Sequence, residues 1–116
     1  MKTTIVNHQE NEMIIDERTY QVAPGKMQEL LALYEKDGYA TQTKHLGKPF
    51  GYFIVEVGPI NHIVHMWAYE SMAEREQKRT QMQSDPAWQA YLAKAGTYFV
   101  RQDNRLLKSI PALMGK

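Results

Sequence analysis

The chain has no cysteine, which excludes disulfide frameworks, thiolate nucleophiles and cysteine-ligated zinc or iron–sulfur sites. Its net charge is also small, because 14 basic and 13 acidic residues leave a formal charge of +1. No long run of basic residues occurs. That charge is too small to attract nucleic acid or an anionic membrane surface. No apolar run approaches the roughly 20 residues of a membrane span, and the first residues are too polar for a signal peptide. These absences predict a cytoplasmic protein with neither nucleic acid nor membrane as partner.

The length and composition are those of one ordinary globular domain. The 116 residues are 43% hydrophobic and 23% charged, which suits a single core of modest size. No internal repeat, linker or low-complexity segment divides the chain. We therefore predict a polar lead-in at residues 1–12, one domain at residues 13–110 and a short tail at residues 111–116.

Four segments rich in β-forming side chains predict strands, at residues 13–22, 50–57, 61–69 and 98–107. With one helical region between the first two strands and another before the last, the order is strand, helix, strand, strand, helix, strand. That order predicts a ferredoxin-like α+β fold, βαββαβ. The second and third strands carry bulky apolar side chains on both faces, so the face without helices also needs cover. A homodimer that packs sheet on sheet, forming a dimeric α/β barrel, is the predicted solution.

The helices have recognisable starts. The first opens near Pro24 with an apolar stripe at helical spacing, and it is predicted to fray at residues 37–38. Ser71 and Glu74 form the S-x-x-E pattern of a capping box. Asp85, directly before a proline, is predicted to cap the last helix.

The third strand offers the first candidate site residues. His65 and Trp67 share one strand face, because side chains alternate between the two faces of a sheet. In one interpretation His65 is a general acid or base, or a polar anchor, and Trp67 is a pocket wall. In the other, His65 is a hydrogen-bonded core histidine beside a packing tryptophan.

Arginines supply the second set of candidates. Arg75 and Arg79 lie one helical turn apart, so both could bind one carboxylate or phosphate, or both could lie on a solvated face. Arg18 shares a strand face with Asp16 and Tyr20; if it points inward it requires a carboxylate partner or a bound anion.

The histidines predict no metal site. His62 and His65 face opposite ways on a strand, and no H-x-x-x-H pair occurs on a helix. His45 precedes a helix-to-strand connection and could converge with His65 and Trp67. A haem axial role for His65 or His45 is the weakest alternative, and we predict no cofactor.

Several segments together resemble the NIPSNAP family over about residues 13–110. They are residues 18–20 (RTY), 24–26 (PGK), 45–47 (HLG), 51–53 (GYF), 64–69 (VHMWAY), 74–75 (ER), Arg79, 85–88 (DPAW) and 104–105 (NR). The resemblance implies a dimeric α/β barrel but no settled activity. Superfamily relatives include cofactor-free monooxygenases, isomerases and haem enzymes, so fold analogy decides little about function.

Three functions remain open at this point. The first is binding of a small, partly anionic organic molecule between sheet and helices. In it Arg75 and Arg79 hold the anion, His65 and His45 offer hydrogen bonds or proton transfer, and Trp67 and Tyr20 form apolar walls. The second is a cofactor-independent monooxygenase or isomerase acting next to a carbonyl, with His65 as base and Arg79 stabilising an enolate. The third is a protein-interaction module with a filled interior and its inward arginines in internal ion pairs.

Overall fold

The structure, a computed structural model, describes residues 12–115 as a four-stranded antiparallel sheet in the order β2-β3-β1-β4, with helices on one face. The strands are β1 Ile14–Val22, β2 Gly51–Ile54, β3 His62–Tyr69 and β4 Phe99–Lys108. The helical elements are α1 Met27–Leu33, a π-helical turn Tyr34–Gly38, α2 Tyr39–Leu46, α3 Met72–Gln83, α4 Pro86–Ala95 and a short 3₁₀ turn Pro111–Leu113. This order confirms the predicted ferredoxin-like protomer. Most of the predicted lead-in, residues 1–11, lies outside the described residues.

The core lies between the sheet and the helices. In β3 every second residue is buried and those between are half-buried, as expected for a strand with one face covered. The helices contribute buried aliphatic and aromatic side chains to the same core. Its members are Val22, Leu30, Tyr34, Leu46, Ile63, Trp67, Tyr69, Met82, Trp88, Tyr91 and Ala95.

Strand β2 is shorter than the sequence predicted. Regular pairing with β3 ends at Ile54, although the amide of Val55 still donates to the carbonyl oxygen of His62 at 3.0 Å. The chain then turns through two residues with positive φ, Gly58 at 129° and Asn61 at 62°. Positive φ is incompatible with a regular strand, so the apolar residues of this segment form a loop instead.

The first helical region does not fray at residues 37–38 as predicted. A π-helical turn, Tyr34–Gly38, joins α1 to α2 and keeps the helical path continuous. Gly38 is buried there against the rings of Tyr34 and Tyr91, which a side chain at this position would meet. The turn thus brings two tyrosines to the inner side of the helix, and such π-turns are frequent at functional sites.

The predicted caps are present, with one difference in detail. Ser71 Oγ accepts a hydrogen bond from the Glu74 amide at 3.1 Å. The Glu74 carboxylate accepts from the amide of Glu70 at 2.7 Å, one residue before the expected donor. Asp85 caps α4 by accepting from the Ala87 amide at 2.9 Å. These bonds satisfy backbone donors that helix starts otherwise leave without partners.

We predict that Gly38→Ala destabilises the fold. The added Cβ would lie 2.7 Å from Tyr34 Cδ1 and 3.0 Å from two atoms of the Tyr91 ring. Overpacking of this kind costs about 1–3 kcal/mol, whereas alanine gains only about 1 kcal/mol of helix propensity over glycine. Urea unfolding measures the difference. Ala40→Gly, at an exposed position of α2, calibrates the propensity term, and a stabilised Gly38→Ala variant would contradict the packing account.

Candidate functional site

A cavity of about 40 Å³ lies between the sheet and the helices. A water molecule needs about 10–15 Å³ measured in this way, so the cavity has room for a few waters. Its walls are mostly aromatic. They are formed by Tyr20, Leu30, Leu31, Tyr34, Gln42, Tyr52, Ile63, His65, Trp88, Tyr91, Leu92 and Phe99.

His65 is the polar centre of this wall. It is 3% exposed, and its Nδ1 accepts a hydrogen bond from Nε1–H of Trp67 at 2.7 Å. Because Nδ1 accepts, the neutral ring carries its proton on Nε2. No acceptor among residues 12–115 binds that Nε2–H, so His65 offers the cavity one uncharged donor.

The pKa of His65 is far from the free-imidazole value of about 6.5 that suits a general base at neutral pH. Burial lowers the pKa of His65 to about 3, helped by the positive charges of Arg18 and Arg79 and opposed by Asp16. An imidazole with such a pKa is neutral at physiological pH and a weak base. The geometry therefore favours His65 as a hydrogen-bond donor over a general base.

Rings around His65 form an ordered stack. Tyr52 stacks on the imidazole with centroids 4.8 Å apart, and Tyr34 stacks on Tyr52 at 5.3 Å. Tyr20 meets the imidazole edge-on at 5.0 Å. Burial raises the pKa of Tyr34 and Tyr52, so their hydroxyls remain protonated. The cavity wall is thus uncharged and aromatic.

A second, open cleft adjoins the cavity. It has a volume of about 330 Å³ and shares Leu31, Tyr34 and Tyr52 with the cavity wall. The stacked pair of Tyr34 and Tyr52 therefore stands between the cavity and the cleft. Tyr34 is held by a 2.5 Å hydrogen bond from its hydroxyl to Gln42 Oε1.

Next to the cavity, on the same face of the sheet, lies a cluster of charged residues. The carboxylate of Asp16 is fully buried and accepts from Arg18 Nη1 and Arg75 Nε, each at 3.1 Å from Oδ2. Arg18 Nε also donates to the Tyr20 hydroxyl at 2.9 Å, which links the cluster to the cavity wall. Arg75 makes a further ion pair with Glu76 at 2.9 Å.

Arg79 joins this cluster without an ion pair. No carboxylate among the described residues lies within 4.0 Å of its guanidinium. Burial and the neighbouring charge of Arg18 lower the pKa of Arg79, while Tyr69 and Asp16 oppose that shift. The group remains charged, because an arginine pKa starts far above neutrality. It is a partly buried cation that no carboxylate of residues 12–115 neutralises by direct pairing.

Two predicted site residues lie elsewhere. Trp67 is fully buried behind His65 and does not line the cavity; its contribution is the hydrogen bond that fixes the imidazole. His45 is not part of the cavity either. Its Nε2 binds Asp85 Oδ2 at 2.8 Å, which ties α2 to the start of α4. The expected convergence of His45 with His65 and Trp67 is therefore wrong.

Sequence reasoning missed several wall residues of the cavity. The sequence pattern places Tyr34 in the apolar stripe of the first helix and Tyr52 in the second strand, but it does not give the register of that strand with the third. The observed register places Tyr52 directly opposite His65 on β3. Gln42 gave no signal, since a glutamine on a helix is usually solvated. The described residues hold no group of three or more side chains suited to a metal.

Fold and site together define a class: a ferredoxin-like α+β domain with an aromatic cavity between its sheet and helices. The chain belongs to the NIPSNAP family, whose model matches residues 15–113. It is 38% identical over 91 residues to a NipSnap homologue of Dictyostelium discoideum and 36% identical over 73 residues to human NipSnap homologue 3A. These matches cover 78% and 62% of this chain, but only 40% and 29% of the relatives.

Solved structures give the same family and extend the fold. A NIPSNAP family protein of unknown function from Agrobacterium tumefaciens matches with a TM-score of 0.81 and 36% identity, over 84% of this chain and 88% of that one. A NIPSNAP domain protein from Burkholderia xenovorans matches with a TM-score of 0.81 and 28% identity, over 89% of this chain and 98% of that one. A protein from Nitrosomonas europaea, named provisionally as an antibiotic biosynthesis monooxygenase, also matches. Its TM-score is 0.60 and its identity 7%, over 84% of this chain and 90% of that one. At this identity the match shows the fold alone.

None of the helices in the described part of the chain has the length and apolar character needed to cross a membrane.

We predict that His65 makes stability depend on pH. Below about pH 6.5 the unfolded chain gains a proton on this imidazole, whereas the folded protein does not until the pH approaches about 3. The contribution of this group to the free energy of unfolding therefore decreases as the pH is lowered, by up to about 1.4 kcal/mol per pH unit between about pH 6.5 and pH 3. Urea unfolding between pH 7.5 and 5 measures it.

The difference between wild type and His65→Gln isolates this contribution, because the carboxylates titrate in both proteins. Gln81→His, which adds an exposed histidine on α3, is the control and should keep the wild-type slope. Equal slopes for wild type and His65→Gln would show that His65 titrates normally in the folded protein.

Proposed function

We propose that this NIPSNAP domain binds a small, partly anionic organic molecule whose aromatic or apolar body enters the cavity between sheet and helices. The observation that carries the proposal is the unpaired Nε2–H of His65, a neutral donor in an aromatic wall. Small-molecule sites are typically apolar with a few convergent polar groups that fix orientation. A carbonyl or another neutral acceptor on the ligand is the complement to this donor.

The cavity must enlarge to admit such a ligand. At about 40 Å³ it is well below the 300–1,000 Å³ common for organic ligands, whereas the adjoining cleft has about 330 Å³. We propose that the rings of Tyr34 and Tyr52 separate when the ligand binds and that the two spaces become one. Tyrosine rings can replace their mutual stacking with stacking on a flat ligand, so separation costs little once an aromatic body is bound.

Binding is better supported than the two alternatives. Proton abstraction by His65 is disfavoured by its pKa of about 3. An interaction module was expected to have a filled interior with Arg18 and Arg79 in internal ion pairs. Arg18 is paired with Asp16, but Arg79 has no carboxylate partner among the described residues, and a cavity is present.

The binding proposal predicts that acetophenone, a neutral aromatic ketone, stabilises the protein through His65. A ligand at a hundred times its dissociation constant stabilises by about 2.7 kcal/mol, which thermal unfolding detects. His65→Phe keeps a ring but removes the donor, and should weaken binding about 2- to 12-fold, as expected for one neutral hydrogen bond. Gln81→Phe, which places a ring at an exposed position of α3, is the control.

Two results would count against this site. Acetophenone that fails to stabilise the wild type would remove the cavity as a site for aromatic ketones. Equal affinity in wild type and His65→Phe would remove His65 as the donor.

We also propose that the domain forms a homodimer through the sheet face that carries no helices. On that face Phe53 and Val64 are cross-strand partners, Phe53 is 55% exposed, and Met66 lies next along β3. Apolar side chains grouped on one face favour association, and a stable interface of standard size buries about 1,200–2,000 Å².

Light scattering after size-exclusion chromatography should give twice the protomer mass of 13.5 kDa at micromolar concentration. Met66→Glu places a charge in the proposed interface and should yield monomers. Gln81→Glu, exposed on α3, is the control and should remain dimeric. A wild-type protein that elutes as a monomer would contradict the proposed homodimer.

A further inference from the structure

The hydroxyl of Tyr69 is fully enclosed by protein and has no hydrogen-bond partner among residues 12–115. Tyr69 is 1% exposed and lies at the end of β3, on the face covered by helices. A buried polar group without a partner costs about 1–3 kcal/mol, so such groups are rare and call for an explanation. In particular, the O–H of Tyr69 has no acceptor.

Arg79 lies against this hydroxyl. Burial raises the pKa of Tyr69, and the positive charge of Arg79 partly offsets that effect, although no hydrogen bond of adequate geometry joins the two groups. The phenol is therefore protonated at neutral pH and remains a donor. Two donors, a phenol O–H and a guanidinium, thus lie side by side and both lack an anionic acceptor within the described part of the chain.

The surrounding charges decide which anion would fit. The guanidinium groups of Arg18, Arg75 and Arg79 carry three positive charges, and the carboxylates paired with the first two, Asp16 and Glu76, carry two negative ones. One positive charge is left, on Arg79. A monoanion neutralises it, whereas a dianion would leave an excess negative charge in a partly buried site.

We infer that Arg79 and Tyr69 form a subsite for the carboxylate of the ligand, next to the aromatic cavity. This inference rests on the proposed function and assigns its ligand class, an organic monocarboxylate with an aromatic or apolar body. Arg79 is partly exposed and long, so an anion reaches it from solvent, and rotation of its side chain admits one carboxylate oxygen to the Tyr69 hydroxyl. Guanidinium binds carboxylates through a planar fork of two donors, which suits this geometry.

Arg75 and Arg18 have a different part in this subsite. Both are held on the Asp16 carboxylate, so they supply positive potential without direct ligation. This modifies the sequence hypothesis in which Arg75 and Arg79 bind the anion together. It also adds Tyr69, for which the sequence pattern alone indicates no ligand-binding role.

The subsite can be tested with acetate, which carries the carboxylate without the aromatic body. Thermal unfolding is followed from 0 to 200 mM sodium acetate at constant ionic strength, with chloride as the balancing ion. We expect a saturable rise in melting temperature for the wild type. Arg79→Gln should abolish it, and Tyr69→Phe should weaken acetate binding roughly 10- to 150-fold, as expected for the loss of a hydrogen bond to a charged group. Lys26→Gln, which removes an exposed positive charge at the start of α1, should behave as the wild type.

The outcomes test the subsite, its preference for monocarboxylates and the role of Tyr69 separately. No saturable acetate effect, or an equal effect in Arg79→Gln, would overturn the subsite. Tighter binding of inorganic phosphate at pH 8, where it is a dianion, would overturn the assignment to monocarboxylates. Full acetate affinity in Tyr69→Phe would remove Tyr69 from the subsite. Acetophenone binding is measured separately, so the cavity can fail while the anion subsite stands, and the reverse.

Discussion

The helix-facing side of the sheet is organised around one buried carboxylate, that of Asp16. A carboxylate without solvent contact is costly unless it is paired and hydrogen-bonded, and removal of either partner of such a pair leaves an uncompensated charge. Asp16 meets this requirement through Arg18 on its own strand and Arg75 on α3, with a longer contact from Asn104 on β4 at 3.4 Å. These contacts fix a helix and two strands relative to one another.

The position of Asp16 divides the interior into two parts. On one side, Arg18 leads through the Tyr20 hydroxyl to a neutral cavity in which His65 is held as a hydrogen-bond donor. On the other, the arginines outnumber the acceptors, and Arg79 is left beside the hydroxyl of Tyr69. The positive charges of Arg18 and Arg79 also lower the pKa of His65, so the charged cluster helps to keep the cavity wall uncharged. An uncharged aromatic space next to a guanidinium that has no carboxylate partner within residues 12–115 is the environment that an organic acid would complement.

Local patterns in the sequence were sufficient for the protomer fold and for the helix starts. Alternation in β3 predicted which residues face the helices, and Ser71 and Asp85 cap helices as expected. What local patterns could not supply was pairing across long separations. Asp16 and Arg75 are 59 residues apart, and the contact of Tyr52 with His65 depends on hairpin register. Likewise, His45 has a short and specific partner in Asp85 that no spacing rule indicates.

We propose that the aromatic cavity and the Arg79 guanidinium beside it form one ligand site. A crystal structure of the protein grown with phenylacetate tests this most directly, because that molecule combines an aromatic ring with a monocarboxylate. We expect the phenyl ring to lie between Tyr34, Tyr52 and His65, with the two tyrosines moved apart. The carboxylate is expected to bind Arg79. A closed tyrosine stack with only water in the cavity, at a phenylacetate concentration that saturates any binding seen in solution, would contradict it.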